Sequence, residues 1–217
     1  MIQAILFDLD GLMVDSEPHS RASWQAVMAR RGVTLEPSVL DGILGQRLIE
    51  TARLFVERYN LSDAPEQLSQ EKEAYQIAYL NGQVKPMPGL SVLLDDVERR
   101  GVRTAVASSG ARVYVQAVLD EIRLAHQFET LVTAEDVVHG KPAPDVFLLA
   151  ARAVDVPPEQ CLVLEDAPSG IQAAKAAGMR CVAIPHQYTR GLDLSGADWI
   201  LASLADVRTI LDEIGTP

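Results

Sequence analysis

At 217 residues, with 48% apolar and 23% charged residues, the chain has the make-up of an ordinary globular protein, which excludes a disordered one and leaves room for one large domain or a medium one with a smaller companion. The formal net charge of -11 argues against broad binding to nucleic acid or to an acidic membrane surface, so any anionic substrate must be met by a local positive site. No run of ~18 apolar residues is present for a membrane span and the N-terminus lacks the basic region of a signal peptide, so the expected location is the cytoplasm.

The first element is Ala4-Ile5-Leu6-Phe7, too short for a helix, which reads as a buried strand ending in Asp8-Leu9-Asp10-Gly11. If the extended geometry persists through Leu9, the side chains of Asp8 and Asp10 point the same way. Two like charges held there make sense if a hard divalent cation such as magnesium sits between them; a strand end with solvated acids is the other reading of these four residues. From Asp15 to about Gln83 the pattern turns helical. Trp24, Val27, Met28 and Arg31 share one helical spacing, Leu54, Phe55 and Tyr59 another, and a third helix is expected over Glu66 to Leu80. Lys85-Pro86-Met87-Pro88-Gly89 stops any helix and marks a joint, with the other joint near Val14 to Glu17. The expected division is a core domain of residues 1–14 and 87–217 and an inserted helical domain of residues 15–86.

After Gly89 strands and helices alternate. A helix over Leu90 to Arg100 is capped by Gly101, and the strand Val102 to Ala107 leads through Ser108 to a helix over Arg112 to Ile122. Phe128 to Thr133 reads as a strand, Asp145 to Val154 as a helix and Cys161 to Leu164 as a strand running into Glu165-Asp166. Pro168 opens a helix that Gly178 closes. Arg180 to Ile184 and Trp199-Ile200 read as strands, and Leu204 to Ile214 as the last helix. This alternation predicts an α/β fold with a Rossmann-like parallel sheet covered on both faces. Cys161 and Cys181 lie in strand-like runs with no Cys or His at metal-ligand spacing, and read as buried thiols in a reducing compartment. Ligands of such a sheet bind beyond the carboxyl ends of its strands. Three strands far apart in sequence end there in Asp8 and Asp10, in Ser108, and in Glu165 with Asp166.

Four motifs in order, Asp8 to Gly11, Val106-Ala107-Ser108-Ser109, Gly140-Lys141-Pro142-Ala143-Pro144-Asp145 and Leu164-Glu165-Asp166-Ala167-Pro168-Ser169-Gly170, resemble those of the haloacid dehalogenase superfamily. The helical insertion is similar to the cap of the subgroup that holds β-phosphoglucomutase and many sugar-phosphate phosphatases. The resemblance implies Asp8 as a nucleophile forming an aspartyl-phosphate and Asp10 as general acid and base with its backbone carbonyl on the metal. It implies Asp166, with Asp8, as magnesium ligands, and Glu165 as a direct or water-mediated partner. Ser108, with Ser109 beside it, would bind the phosphoryl group, and Lys141 would offset the charge of Asp8 and of that group. Four carboxylates against one magnesium ion and one lysine leave a negative excess, so crowding should raise the pKa of one carboxyl, with Asp10 the candidate.

In the helical insertion, His19 and Arg47, within Gly45-Gln46-Arg47, are the candidate substrate contacts. Lys72 could join them, although the stretch Gln70-Glu71-Lys72-Glu73 reads as an exposed polar surface. His126, His139 and His186 read as surface residues without partners. The expected function is a magnesium-dependent phosphatase of a small phosphorylated metabolite, a sugar phosphate, acting as a monomer. A β-phosphoglucomutase-like isomerase is the alternative, and a phosphate-binding protein without turnover the third reading. His19 lies nine residues after Asp10, one fewer than expected for the mutase.

Overall fold

A computed structural model describes residues 1–44, 46–80 and 82–217. Gly45 of the Gly45-Gln46-Arg47 segment lies outside the described residues. Six parallel strands form one sheet in the order β3-β2-β1-β4-β5-β6, where β1 is Ala4–Phe7, β2 Arg103–Ala107, β3 Thr130–Val132, β4 Cys161–Glu165, β5 Arg180–Ala183 and β6 Trp199–Ile200. The α/β parallel sheet read from the alternating pattern is therefore present. Alternation along each strand sends side chains to two separate cores. Ile5 and Phe7 pack with Val106, Leu162, Leu164 and Val182 on one face. Ala4 and Leu6 pack with Ala105, Val163 and Ala183 on the other. This two-sided burial explains why β1 and β4 read as continuous apolar runs.

Helices α5 (Leu90–Arg99), α6 (Arg112–Glu121) and α9 (Val207–Ile214) cover the first face, and α7 (Asp145–Ala153) and α8 (Pro168–Ala176) the second. The helix expected from Leu204 divides into a 3-10 turn over Leu204–Asp206 and α9. Gly101 takes φ +66 just beyond α5, the left-handed conformation that closes a helix at low cost for glycine. Cys161 and Cys181 are free and buried.

Between β1 and α5 lie α1 (Glu17–Ala29), α2 (Pro37–Asp41), α3 (Leu48–Tyr59) and α4 (Pro65–Ala78). They enclose a third core of their own, built on Trp24, Val27, Met28, Leu40, Phe55 and Leu68. Leu54, expected on the inward face of α3, is 39% exposed, because Ala52 and Phe55 already fill that face beside Thr51. The five-residue α2 is too short to leave a periodic signal. The two ends of this helical block meet: Val14 pairs antiparallel with Pro86, and the Met87 N–H donates to the Met13 carbonyl at 2.7 Å. Among the described residues no helix is long and apolar enough to cross a membrane.

Candidate active site

Register brings the site together. Phe7 lies level with Val106 of β2 and Leu164 of β4, so the residues that follow, Asp8, Ala107 and Glu165, emerge side by side at the carboxyl edge of the sheet. This is also where strand order reverses: β2 and β3 run outward on one side of β1 and β4 to β6 on the other, leaving the crevice in which open α/β sheets bind ligands. Helices of the inserted block roof that crevice. One cavity is lined by Asp8, Asp10, Lys141 and Asp166 from below and by Glu17, Trp24 and Lys72 from above.

Lys141 is the hub of the floor. Its side chain is 3% exposed and its ammonium donates three bonds, to Asp8 Oδ1 at 2.5 Å, Glu165 Oε1 at 2.6 Å and the Ala107 carbonyl at 3.1 Å. Burial alone would lower a lysine pKa, but the charges of Asp8 and Glu165 outweigh it and hold Lys141 above its ordinary value. Glu165 is fixed from both sides, since Oε2 accepts the N–H groups of Asp166 (3.0 Å) and Ala167 (3.2 Å). A Cβ on Gly170, one turn into α8, would collide with this carboxylate, so glycine is needed there for close approach. Gly11, at φ +84, makes room in the same way for Asp166 Oδ2 and His186 Nε2, each of which a Cβ would meet at 2.7 Å.

Asp8, Glu165 and Asp166 are all buried, and one oxygen of each lies within 4.8 Å of the others. Three carboxylates face a single lysine, an excess negative charge that a low-dielectric site tolerates only with a cation or bound protons. Burial, reinforced by the neighbouring acids, indeed pushes Asp8 and Asp166 well above the ordinary carboxylate range. Asp10 stands half-buried at the cavity wall. An all-oxygen donor set of this charge fits a hard divalent cation.

Asp10 Oδ1 accepts two hydroxyls, Ser16 Oγ at 2.5 Å and Tyr114 Oη at 2.6 Å. Ser108, the residue after β2, is 1% exposed; its Oγ accepts the Gly110 N–H at 3.0 Å, and Ser109 is the one that lines the cavity.

The residues expected from the helical block fare differently. His19 is half-buried and does not line the cavity. Arg47 also points elsewhere: its guanidinium donates to the carbonyls of Ala134 (2.8 Å) and Val138 (3.2 Å), tying the start of α3 to the loop after β3. Lys72 corrects the reading of its stretch as an exposed surface. It is 5% exposed, lines the cavity, donates to Ser20 Oγ at 3.2 Å and to Gln76 Oε1, and lies 5.7 Å from the Trp24 ring centroid. Leu68, Lys72 and Gln76 recur every fourth residue on the inward face of α4, which is therefore largely polar. Burial lowers Lys72 to about 8 and raises Glu17, across the same cavity wall, to about 7.

His126 and His139 lie exposed, as expected, each with one weak polar neighbour. His186 is the exception. It is buried; its Nδ1 accepts the Tyr188 N–H at 3.4 Å, so Nε2 carries the proton and donates to Asp166 Oδ2 at 3.0 Å. Burial holds it below the usual histidine pKa, which keeps it the neutral donor. A histidine two residues beyond a strand end was the sequence signal; only β4–β5 pairing places it against Asp166.

The family described as haloacid dehalogenase-like hydrolase matches residues 5–184. The chain is 35% identical over 178 residues to the fructose-1-phosphate phosphatase YqaB of Escherichia coli (strain K12), covering 82% of this chain and 94% of that protein. It is 31% identical to protein CbbY of Rhodobacter capsulatus, covering 96% of both. The crystal structure of CbbY from Rhodobacter sphaeroides in complex with phosphate superposes with a TM-score of 0.89 at 30% identity, over 95% of this chain and 96% of that one. With the four motifs gathered on one sheet edge and a family match spanning most of its length, the chain belongs to the haloacid dehalogenase-like hydrolases.

Proposed function

We propose that the chain is a magnesium-dependent phosphatase of a small phosphorylated metabolite, a sugar phosphate, working through a phosphoryl group held on Asp8. One observation carries the reading: Asp8 sits where a buried lysine and two further buried carboxylates converge, with Asp10, whose Oδ2 accepts no hydrogen bond among the described residues, on the wall of the same cavity. Similarity to a sugar-phosphate phosphatase supports the substrate class. Lys141 binds Oδ1 of Asp8 and leaves the second oxygen to attack phosphorus. As the oxygen–phosphorus bond to Asp8 forms, the bond to the sugar oxygen breaks and that oxygen takes a proton from Asp10. Asp10 then removes a proton from the water that attacks the phosphoryl group, which frees phosphate and restores Asp8. Asp8 and Asp166, with Glu165 directly or through water, would hold magnesium, which supplies positive charge against which the phosphate dianion can approach. Ser108 and Ser109 bind the phosphoryl oxygens.

Residues 15–86 act as the cap and residues 1–14 and 87–217 as the core, with the paired chains at Val14 and Pro86 as the hinge; the separate core of α1 to α4 supports this division. The enzyme works as a monomer in the cytoplasm, in keeping with its two free thiols. The mutase alternative is weaker, because of His19, Arg47 and Lys72 only Lys72 lines the cavity.

Incubation with a panel of sugar phosphates, with and without magnesium, tests the proposal by following free phosphate and isomerised sugar phosphate together. Metal-dependent phosphate release is expected; isomerised product with little free phosphate would identify a mutase instead. The same metal should raise the melting temperature. Carboxyls raised on folding favour the native state only while protonated, so their contribution is present at acid pH and lost as pH rises through the raised values. Magnesium at neutral pH relieves that loss, and a chelator should restore it.

Lys72 is the substrate contact of the cap. Replacing it with Met should raise KM about tenfold, the scale of a lost charge-assisted hydrogen bond. Affinity of the parent enzyme should decline as pH rises through about 8, where Lys72 loses its proton, and the variant should lack that limb. Its native pKa is depressed, so burying the charge costs stability below about 8 and the cost fades at higher pH; the variant should be no less stable at neutral pH.

A further inference from the structure

The general acid proposed above has a hydroxyl clamp that neither motif nor charge accounting assigns. Asp10 Oδ1 takes both its hydrogen bonds from hydroxyls on different elements: Ser16, at the start of α1, and Tyr114, from the first turn of α6. Among the described residues Oδ2 accepts no hydrogen bond. We propose that Tyr114 is a positioning residue that, with Ser16, anchors Oδ1 of Asp10 so that Oδ2 is the oxygen that delivers the proton to the leaving group.

The side chain is built for this. Tyr114 is 5% exposed, its ring packed into the core beneath α6 with Val115 and Val118, so the phenol is held from behind as well as at its tip. Gly110 makes the passage: a Cβ there would meet the Tyr114 ring at 3.1 Å. Burial and the charge of Asp10 push the phenol well above its ordinary pKa, so it stays a donor across the working range. Ser16 is 2% exposed and its position is set by the same chain segment that turns back at Val14. A carboxyl engaged at both lone-pair directions of one oxygen loses rotation about its Cβ–Cγ bond. That restriction places the proton donor rather than merely binding it.

The inference rests on the phosphatase reading, and the leaving group separates the two. A sugar alkoxide must be protonated as it departs, whereas p-nitrophenolate leaves without a proton. The measurement is kcat/KM, which stops at leaving-group departure, for fructose 1-phosphate and p-nitrophenyl phosphate with the parent chain, Tyr114→Phe, Ser16→Ala and Asp10→Asn. Tyr114→Phe should lower the value for fructose 1-phosphate roughly tenfold or more and that for p-nitrophenyl phosphate within about twofold, Ser16→Ala should show the same split, and Asp10→Asn should set its ceiling, about 10²- to 10⁴-fold. Equal losses on both substrates, or none on either, would overturn the positioning role. If Tyr114→Phe melts early, Ser16→Ala carries the test by the same split. Release from both substrates that persists in Asp8→Asn is a different failure, which removes the phosphatase reading and the clamp with it.

Discussion

Asp8→Asn is expected to reduce phosphate release by on the order of 10⁴-fold or more, since an amide oxygen cannot accept a phosphoryl group and neither of the acids clustered with it, Glu165 and Asp166, has the same freedom to attack. Glu165 has both oxygens committed, to Lys141 on one side and to two backbone N–H groups on the other. Asp166 is held by His186. The substitution should nevertheless leave the fold intact or firmer. Asn is nearly isosteric, and it removes one of three crowded carboxylates while Lys141 keeps Glu165 as partner. Because the native state holds Asp8 above its ordinary pKa, its ionised form costs stability at neutral pH and not in acid. Melting curves of variant and parent, free of metal, should therefore separate in favour of the variant at neutral pH and converge as pH falls. A variant that loses activity and stability together would show that Asp8 serves the fold.

Lys141→Met should have the largest effect on stability. The lysine side chain is 3% exposed and satisfies two buried carboxylates and a carbonyl at once. Taking one partner from a buried ion pair costs about 3–5 kcal/mol, because the remaining charge is stranded away from water. In urea the midpoint should fall with an unchanged slope. The deficit should shrink in acid, since without the lysine Asp8 is raised still further and accepts a proton sooner. Activity should fall at least about 100-fold, as removal of one oriented charge from a transition-state site does. A variant as stable as the parent would contradict the description of Lys141 as the hub of the site.

How much of this was legible in the sequence depended on range. The carboxylates of the floor were legible because they stand at strand ends, and a strand end is a local event: four apolar residues before Asp8, five strand residues from Cys161 to Glu165; Lys141, in the loop before α7, was legible only through the resemblance of its motif. Parallel pairing then did what topology requires and set those ends level. The ceiling was not legible. Lys72 stands among polar residues, and only the packing of α4 over α6 and α1 turns it inward. Arg47 was expected at the substrate because a guanidinium suits an anion, yet two backbone carbonyls 87 and 91 residues away along the chain take it instead. His186 and Tyr114 were passed over for the same reason. Each meets its carboxylate across a long loop of chain, Tyr114 at a separation of 104 residues, and no spacing rule reports such a contact.

The central claim is that the phosphoryl group passes through Asp8, and rapid acid quenching tests it most directly. The enzyme is mixed with magnesium and excess sugar phosphate, stopped within a turnover, digested and weighed peptide by peptide. The account predicts one added phosphoryl group on the peptide that carries Asp8, lost on longer incubation as substrate is exhausted and absent from Asp8→Asn. Turnover at full rate with that peptide unmodified at every time, or a phosphoryl group on a peptide without Asp8, would contradict it.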